Sequence, residues 1–320
     1  MIYPPFLKDH DNLGVVAISQ GIGSKLEEYL KSITNLSKHF KIIEAPSVRI
    51  NNIRANSAEI RAKELEHMFK DPNIKAIICA RGGYYAMEIL PYIDWKVITA
   101  NPKLFIGYSN PSTLMHYLTC KLDIATIYGF NASSFDEMHQ FTDTALNYMK
   151  NNIHPQHSYE YYKSGYNSFT YDKPVKWQYF PSSIHIKGRC IGGCIDDLKN
   201  IIGTPYDATN EFITRYKDEG IIWYFDNYSL STAELYLALL QFKYAGYFNH
   251  CNGIIVGRTC FPKEIANETY FTNLKLLLPN IPIIYDADIG HTSPRLTIIN
   301  GAIINIDVEN DIKTISFELR

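Results

Sequence analysis

Short apolar runs alternate with helical patterns along the first half of this chain, and the alternation restricts the folds open to it. Strand-like runs occur at 13–18, 41–45, 74–80, 104–108 and 124–127, and helical patterns at 24–40, 57–70, 84–91 and 111–120. Short apolar strands that alternate with helices indicate a parallel sheet covered by helices on both faces. Ligands of such sheets bind beyond the carboxyl ends of the strands. We therefore predict a three-layer α/β domain with a site at that edge.

The regular pattern is lost between residues 151 and 181, and we interpret this stretch as the connection between two domains. The alternation then resumes, with predicted strands at 183–191, 221–225, 253–256, 281–285 and 298–306 and a helix at 232–245. We predict an N-terminal domain over 1–165, a connector over 166–182 and a smaller C-terminal α/β domain over 183–320.

Composition excludes several classes of partner. The 320 residues include 31 basic and 33 acidic side chains, for a formal net charge of -2, and no basic stripe is present. We therefore do not expect the protein to bind nucleic acid. No apolar run approaches the length of a membrane span, and the first residues lack the pattern of a secretory signal. We expect a cytoplasmic protein.

The six cysteines fit no zinc signature. Cys190 and Cys194 are four positions apart, without a matching second pair. Several cysteines lie in apolar runs, so we predict buried free thiols. We expect no metal ion and no other cofactor.

A candidate nucleophile follows the strand at 104–108. The run continues as Gly107-Tyr108-Ser109-Asn110-Pro111, after which a helical pattern begins. A serine between a strand end and a helix start exposes its hydroxyl beside backbone N–H groups that can bind an oxyanion. Pro111 replaces the second glycine of the usual G-x-S-x-G pattern, but proline suits the first helical position. The alternative is that Ser109 only caps the helix.

A serine nucleophile needs a base and an acid that orients the base. His291 differs from the other nine histidines because it follows a glycine in a loop after a buried strand. The candidate acids are Asp226, Asp286 and Asp288. Asp226 ends an apolar run, where a carboxylate must be solvated, paired or placed in a site. Asp288 is expected to shape the loop before His291 through local hydrogen bonds.

Two glycine-rich segments are further candidates for binding. The run Arg81-Gly82-Gly83 follows a predicted strand, and its N–H groups are suited to an anion. The segment 188–194 precedes a predicted helix, but it lacks the spacing of a nucleotide-binding loop. A nucleotide-binding fold is therefore disfavoured.

Taken together, these motifs resemble one known family. The chain is similar to the serine L,D-carboxypeptidases of the S66 group, the muramoyl-tetrapeptide carboxypeptidases, which also include the microcin C immunity peptidase. The resemblance runs almost from end to end, with several separate motifs in the expected order. The segments that carry it are 6–8, 14–19, 81–84, 90–94, 107–109, 122–129, 192–193, 203–205, 221–226, 253–258 and 290–291.

The resemblance implies a catalytic triad of serine, glutamate and histidine, which falls on Ser109, Asp226 and His291. Asp226 departs from the family pattern, because an aspartate stands where the family has glutamate. Its side chain is one methylene shorter and reaches about 1.5 Å less far. Since a misplacement of about 1 Å can lower a rate about a hundredfold, we expect an activity that is weakened unless the backbone compensates. Asn110 also departs from the family, which has aspartate after the nucleophile.

The resemblance also implies an oxyanion hole made of backbone N–H groups. Asn110 would supply one of them and Gly83 or Gly82 the other. Substrate contacts are predicted for Arg81, Tyr84 and Tyr108.

The implied function is a serine peptidase that cleaves a terminal D-amino acid from cell-wall muropeptides in murein recycling. The resemblance implies two domains with the site between them, a small peptide or muropeptide as substrate, no metal, and a homodimer. One alternative is an immunity-type peptidase that cleaves aminoacyl or peptidyl nucleotide analogues. Another is a binding protein that kept the fold but lost catalysis, since Asn110 and Asp226 both depart from the family at the site.

Overall fold

A computed structural model of the chain describes residues 1–165, 170–310 and 312–320. The chain divides into two units, Met1–Ile153 and His154–Arg320. The predicted boundaries at 165 and 183 stay a prediction, and the first four residues of the predicted connector, 166–169, lie outside the described residues. Among the described residues, none of the helices combines the length and the hydropathy that a membrane span requires.

The first unit contains five parallel strands in the order β2-β1-β3-β4-β5. They are β1 (Asn12–Val16), β2 (Lys41–Glu44), β3 (Ile74–Cys79), β4 (Leu104–Gly107) and β5 (Thr126–Tyr128), and the helices are α1 (Leu26–Leu36), α2 (Ala58–Lys70), α3 (Trp95–Ala100), α4 (Ser112–Cys120) and α5 (Gln140–Met149). Every residue of β4 is buried, and Lys75 is the exposed residue of β3. Strands buried on both faces are typical of parallel sheets, and the predicted α/β class is confirmed.

Local signals explain several element ends in this unit. Ser57 accepts a hydrogen bond from the backbone N–H of Ile60 and so caps α2, as its sequence position predicts. The helix predicted at 84–91 is wrong in type, because the chain forms a 3-10 helix over Ala86–Tyr92 with Pro91 inside it. Proline lacks a backbone N–H and obstructs the preceding turn, which prevents a regular α-helix there.

The second unit is built on an eight-stranded mixed sheet of order β6-β16-β15-β10-β11-β12-β13-β9. The strands of the unit are β6 (Gln156–His157), β7 (Tyr161–Lys163), β8 (Tyr171–Pro174), β9 (Gln178–Phe180), β10 (Ile184–Cys194), β11 (Ile221–Asp226), β12 (Cys251–Gly257), β13 (Ile283–Ala287), β14 (Ile298–Asn300), β15 (Ile303–Glu309) and β16 (Ile312–Glu318), and the helices are α6 (Ile195–Leu198), α7 (Thr209–Tyr216), α8 (Thr232–Tyr244) and α9 (Tyr270–Leu277). Strands β10 to β13 pair in parallel and are flanked by antiparallel partners. The unit is therefore also α/β.

Two stretches of the second unit differ from the sequence-based expectation. The single strand predicted at 298–306 is divided into β14 and β15, because Gly301 turns the backbone with a φ of +84°. The stretch 151–181, where the sequence shows no period, contains four short strands in its described residues, 151–165 and 170–181. Strands of two to four residues are too short for alternation to become visible in a sequence.

Candidate functional site

Ser109 occupies a sharp turn between β4 and α4. Its φ is +68°, in the left-handed region that is uncommon for residues other than glycine. Such a conformation costs on the order of 1–3 kcal/mol and concentrates at functional sites. The N-cap of α4 is Pro111, and it makes no side-chain cap bond. Ser109 therefore does not occupy the capping position, and its setting matches that of a nucleophile at a strand–helix turn.

The turn is attached to its neighbours by the buried side chain of Asn110. Its Oδ1 accepts hydrogen bonds from Oγ of Ser19, at 2.5 Å, and from the backbone N–H of Ala86, at 2.7 Å. Oγ of Ser19 in turn accepts from the backbone N–H of Tyr85 at 3.1 Å. We call these three bonds the Ser19–Asn110 latch. The latch holds the start of the 3-10 helix against the turn that carries Ser109.

Gly82 lies directly against the candidate nucleophile. A Cβ atom on Gly82 would stand 2.9 Å from Cβ and 3.0 Å from Oγ of Ser109, so a larger residue would displace the serine. A Cβ on Gly83 would stand 2.6 Å from Oγ of Ser19, within the latch. Of the two predicted oxyanion-hole glycines, Gly82 thus lies against the turn and Gly83 lies against the latch. Asn110, the third residue predicted to form the oxyanion hole, directly follows Ser109 and is 2% exposed.

The three predicted substrate contacts of this unit differ in exposure. Tyr84 is 68% exposed, whereas Tyr108 is buried and its ring packs edge-on against Tyr128. Arg81 is half-buried and donates from its guanidinium to the backbone carbonyl of Ile22 at 3.3 Å. Tyr84 is therefore the one of these three with a side chain most open to a ligand.

In the second unit, Asp226 and His291 form a buried pair. Nδ1 of His291 lies 2.9 Å from Oδ2 and 3.1 Å from Oδ1 of Asp226, so the ring N–H donates to the carboxylate. Asp226 is fully buried at the end of β11, and His291 is 8% exposed. The ring of Tyr228 lies 4.4 Å from the imidazole, between ring centres. The carboxylate therefore fixes the orientation of the imidazole ring through Nδ1.

Gly290 makes the pair possible. Its φ is +102°, and a Cβ atom there would lie 2.1 Å from Oδ1 of Asp226. The carboxylate therefore occupies the space that any other side chain at position 290 would need. The glycine before His291, which drew attention in the sequence, is required by this close approach.

The loop before His291 is fixed by a buried ion pair. The guanidinium of Arg258 binds the carboxylate of Asp288 and also donates to the backbone carbonyl of Asp286 at 3.0 Å. Asp288 further accepts from the backbone N–H of Tyr159 and from Nε1 of Trp177, each at 3.1 Å. Asp288 does shape the loop, but the expectation of local hydrogen bonds is wrong, since these partners are far away in sequence.

Asp286, the remaining candidate acid, has a raised pKa. Burial raises its pKa to about 6, Arg258 acts in the opposite direction, and Asp288 adds to the increase. Its backbone has a φ of +63°. Of the three candidate acids, Asp226 is thus the one that is hydrogen-bonded to His291, while Asp288 forms an ion pair with Arg258.

Sequence reasoning did not assign roles to Ser19 or Arg258. Ser19 lies just beyond the carboxyl end of β1, at the sheet edge where a site was predicted, and this position is the signal that points to it. Arg258 directly follows β12, so it also lies just beyond the carboxyl end of a strand. Both are buried polar residues, and buried polar groups need partners.

Comparison with known families decides the classification. The LD-carboxypeptidase N-terminal domain of peptidase family S66 matches residues 13–129, and the C-terminal domain of the same family matches residues 187–306. The chain belongs to the S66 peptidase family. Membership confirms the resemblance seen in the sequence and places the chain among peptidases, which are hydrolases.

Relatives of the S66 chain carry two kinds of name. A putative carboxypeptidase of Vibrio cholerae is 26% identical over 97% of this chain and 96% of its own length. A probable murein peptide carboxypeptidase of Bacillus subtilis is 26% identical over 93% of this chain and 89% of its own length. The microcin C7 self-immunity protein of Escherichia coli is 26% identical over 85% of this chain and 83% of its own length.

Solved structures share the fold of this S66 chain. The wild-type microcin C7 self-immunity protein superposes with a TM-score of 0.83 at 21% identity, covering 100% of this chain and 99% of that one. A related protein from Bacillus anthracis gives a TM-score of 0.83 at 24% identity and covers 100% of both chains. The two-domain S66 fold is therefore confirmed.

Proposed function

We propose that this protein is a serine hydrolase of the L,D-carboxypeptidase type, which removes a terminal D-amino acid from muropeptides in murein recycling. The observation that carries the proposal is the buried hydrogen bond from Nδ1 of His291 to Asp226 at 2.9 Å. A buried carboxylate that orients a histidine is the arrangement used by serine hydrolases. Family membership supports the reaction class. The name of the Bacillus subtilis relative supports a murein peptide as substrate.

In the proposed mechanism Ser109 attacks the scissile carbonyl. Since Nδ1 of His291 is engaged by Asp226, Nε2 takes the proton of the serine hydroxyl and later passes it to the leaving amine. Asp226 holds the imidazole in the required tautomer and stabilises its charged form. No step requires a metal ion.

We assign the oxyanion hole to the backbone N–H of Asn110 and to that of Gly83 or Gly82. The Ser19–Asn110 latch supports this assignment, because it fixes the chain after these glycines to the turn that carries Ser109. Donors fixed in advance stabilise a developing oxyanion without reorganisation. Arg81, Tyr84 and Tyr108 stay predicted substrate contacts.

The geometry of Asp226 bears on the predicted loss of activity. That prediction depended on the shorter reach of aspartate compared with glutamate. The distance of 2.9 Å to His291 lies within the range of a functional hydrogen bond, about 2.6–3.2 Å. We therefore propose that Asp226 serves as the orienting acid.

A second candidate is an immunity-type peptidase that cleaves aminoacyl nucleotide analogues. The microcin C7 self-immunity protein has been solved with adenosine monophosphate and with aspartyl sulfamoyl adenosine. The observation in this chain that favours such a substrate is the exposed ring of Tyr84, beside Gly83. Exposed aromatic rings stack on nucleobases with little dependence on the base.

One experiment separates these functions. The protein is incubated with L,D-tetrapeptides and with an aminoacyl sulfamoyl adenosine, and the products are identified by mass. We expect release of the terminal D-amino acid, and Ser109→Ala should lower turnover at least about a thousandfold. Ser32→Ala is the matched control, because it removes a buried hydroxyl from α1 of the same unit.

The outcomes are distinct. Cleavage of the adenosine conjugate alone would establish the immunity-type function. If the folded wild-type protein cleaves neither substrate, the remaining interpretation is a binding protein without catalysis. A Ser109→Ala variant that keeps more than about a tenth of the turnover would disprove the assignment of Ser109 as the nucleophile.

We place the reaction in the cytoplasm. The six cysteines all lie in the described part of the chain, and none of them forms a disulfide. Free thiols without disulfides are typical of a reducing compartment. The homodimer implied by the family resemblance stays a prediction, to be tested by light scattering.

A further inference from the structure

Cys194 lies beside the Asp226–His291 pair. It is the last residue of β10 and stands opposite Asp226 in the parallel pairing of β10 with β11. Its Sγ, a carboxylate oxygen of Asp226 and a ring nitrogen of His291 all lie within 4.8 Å of one another. The three residues are each buried. We call them the Cys194 cluster.

The chemistry of this cluster is that of a zinc site. Thiolate, imidazole and carboxylate are the three ligand types that bind Zn²⁺ in proteins, and three such ligands plus water are typical of an open site. Ligand atoms around tetrahedral zinc stand about 3.3–3.6 Å apart, given bond lengths of about 2.0–2.3 Å. The ligand atoms of the cluster would have to approach one another by only about 1 Å to reach that spacing.

The local charge also suits a cation. Sγ of Cys194 lies 3.8 Å from Oδ2 of Asp196, so a second carboxylate stands beside the cluster. Negative charge at this position attracts a divalent ion.

We propose that the Cys194 cluster binds Zn²⁺ and that the bound metal reversibly inhibits the enzyme. On binding, a Zn–S bond replaces the S–H bond of Cys194 and that proton leaves to solvent, while the ring proton of His291 shifts from Nδ1 to Nε2 so that Nδ1 can bind the metal. Asp226 and His291 become ligands, so the carboxylate no longer orients the imidazole and the imidazole no longer accepts the serine proton. Binding is independent of the proposed function, while inhibition rests on it.

Binding is tested directly on the full chain by titrating Zn²⁺ against a chromophoric chelator. We expect one ion per chain, with an affinity at least about tenfold weaker in Cys194→Ser. Cys79→Ser is the matched control, since it removes a buried thiol from the other unit. His185→Ala tests an exposed alternative, because His185 lies 3.0 Å from Asp307 on the surface. Equal affinities of wild type and Cys194→Ser would overturn the proposal.

A spectroscopic measurement covers the case in which the Cys194 variant does not fold. Co²⁺ bound by a thiolate gives a sulfur-to-metal charge-transfer band in the near ultraviolet, and wild-type protein should show it. Its absence, with Co²⁺ bound, would exclude Cys194 as a ligand. A band that persists in a folded Cys194→Ser variant would do the same.

Inhibition is measured with the tetrapeptide substrate, with each variant normalised to its own rate in the presence of chelator. Zinc should suppress the wild-type rate, and the concentration for half suppression should rise at least about tenfold in Cys194→Ser. A protein that binds zinc through Cys194 but cleaves nothing would overturn the proposed function alone. An active enzyme that zinc does not inhibit, or inhibits equally in both forms, would overturn the regulatory proposal alone.

Discussion

Gly290→Ala is the substitution whose effect the structure defines most sharply. A Cβ atom at this position would lie 2.1 Å from Oδ1 of Asp226, whereas real Cβ contacts essentially never fall below 3.0 Å. The carboxylate or the loop that carries His291 must therefore move by roughly 1 Å, and a misplacement of this size lowers rates about a hundredfold. The φ of +102° adds backbone strain for alanine.

The effect of the clash can be separated from the effect of strain. Gly203 also has a positive φ, +76°, but a Cβ atom there would meet nothing within 4 Å. Gly203→Ala should therefore lower the free energy of unfolding by about 1 kcal/mol and leave kcat/KM unchanged. Gly290→Ala should lose stability and also about a hundredfold in kcat/KM for the tetrapeptide.

The assay combines steady-state kinetics with chemical denaturation of both variants. In addition, the proton on Nδ1 of His291 should give a downfield nuclear magnetic resonance signal in wild type that shifts or disappears in Gly290→Ala. A Gly290→Ala enzyme with wild-type kcat/KM and an unchanged signal would show that the Asp226–His291 geometry does not depend on this close approach, and the prediction would then be wrong.

Three further predictions concern the acid, the latch and the loop. Asp226→Glu should lower kcat rather than raise it, because a longer side chain is forced into a fully buried position; an increase in kcat would show that aspartate limits the enzyme. Asn110→Leu should lower kcat at least about tenfold with little change in KM, since the backbone N–H of Ala86 loses its acceptor, while Asn110→Asp keeps the acceptor and should recover most of the rate; equal rates for the two variants would contradict the latch. The pKa of Asp286 is raised to about 6, so the native state keeps a proton that the unfolded chain has released near pH 4, and stability falls by up to about 3 kcal/mol between pH 4 and pH 6. Asp286→Asn should flatten that part of the profile in urea denaturation, and an unchanged slope would contradict the assignment.

Much of the fold follows from local signals in the sequence. The apolar run at 74–80 became β3, and the cap at Ser57 marks the start of α2. The errors arise where a single residue overrides the pattern. Gly301 divides a continuous apolar run into two strands, and Pro91 is accommodated by a 3-10 helix in place of an α-helix.

The candidate site was less accessible to sequence reasoning. The family resemblance selected Asp226 and His291, but no spacing rule predicts that residues so far apart meet at 2.9 Å. The Cys194 cluster was hidden for a similar reason. Zinc signatures count positions along the chain, whereas Cys194 and Asp226 meet through the register of two parallel strands. Partners of Asp288 are likewise set by tertiary packing.

The order of Asn110 and Pro111 has a consequence for the chemical durability of the turn. Asparagine deamidates when the backbone nitrogen of the next residue attacks its side-chain amide, and proline has no N–H to lose in that step. The amide that holds the latch is therefore protected from slow conversion to a charged carboxylate. Asn252, which is exposed and precedes a glycine, has no such protection. In protein aged at alkaline pH, peptide mass analysis should detect deamidation at Asn252 long before any at Asn110. Prolonged storage should therefore change the chemistry of the protein surface before that of the turn that carries Ser109.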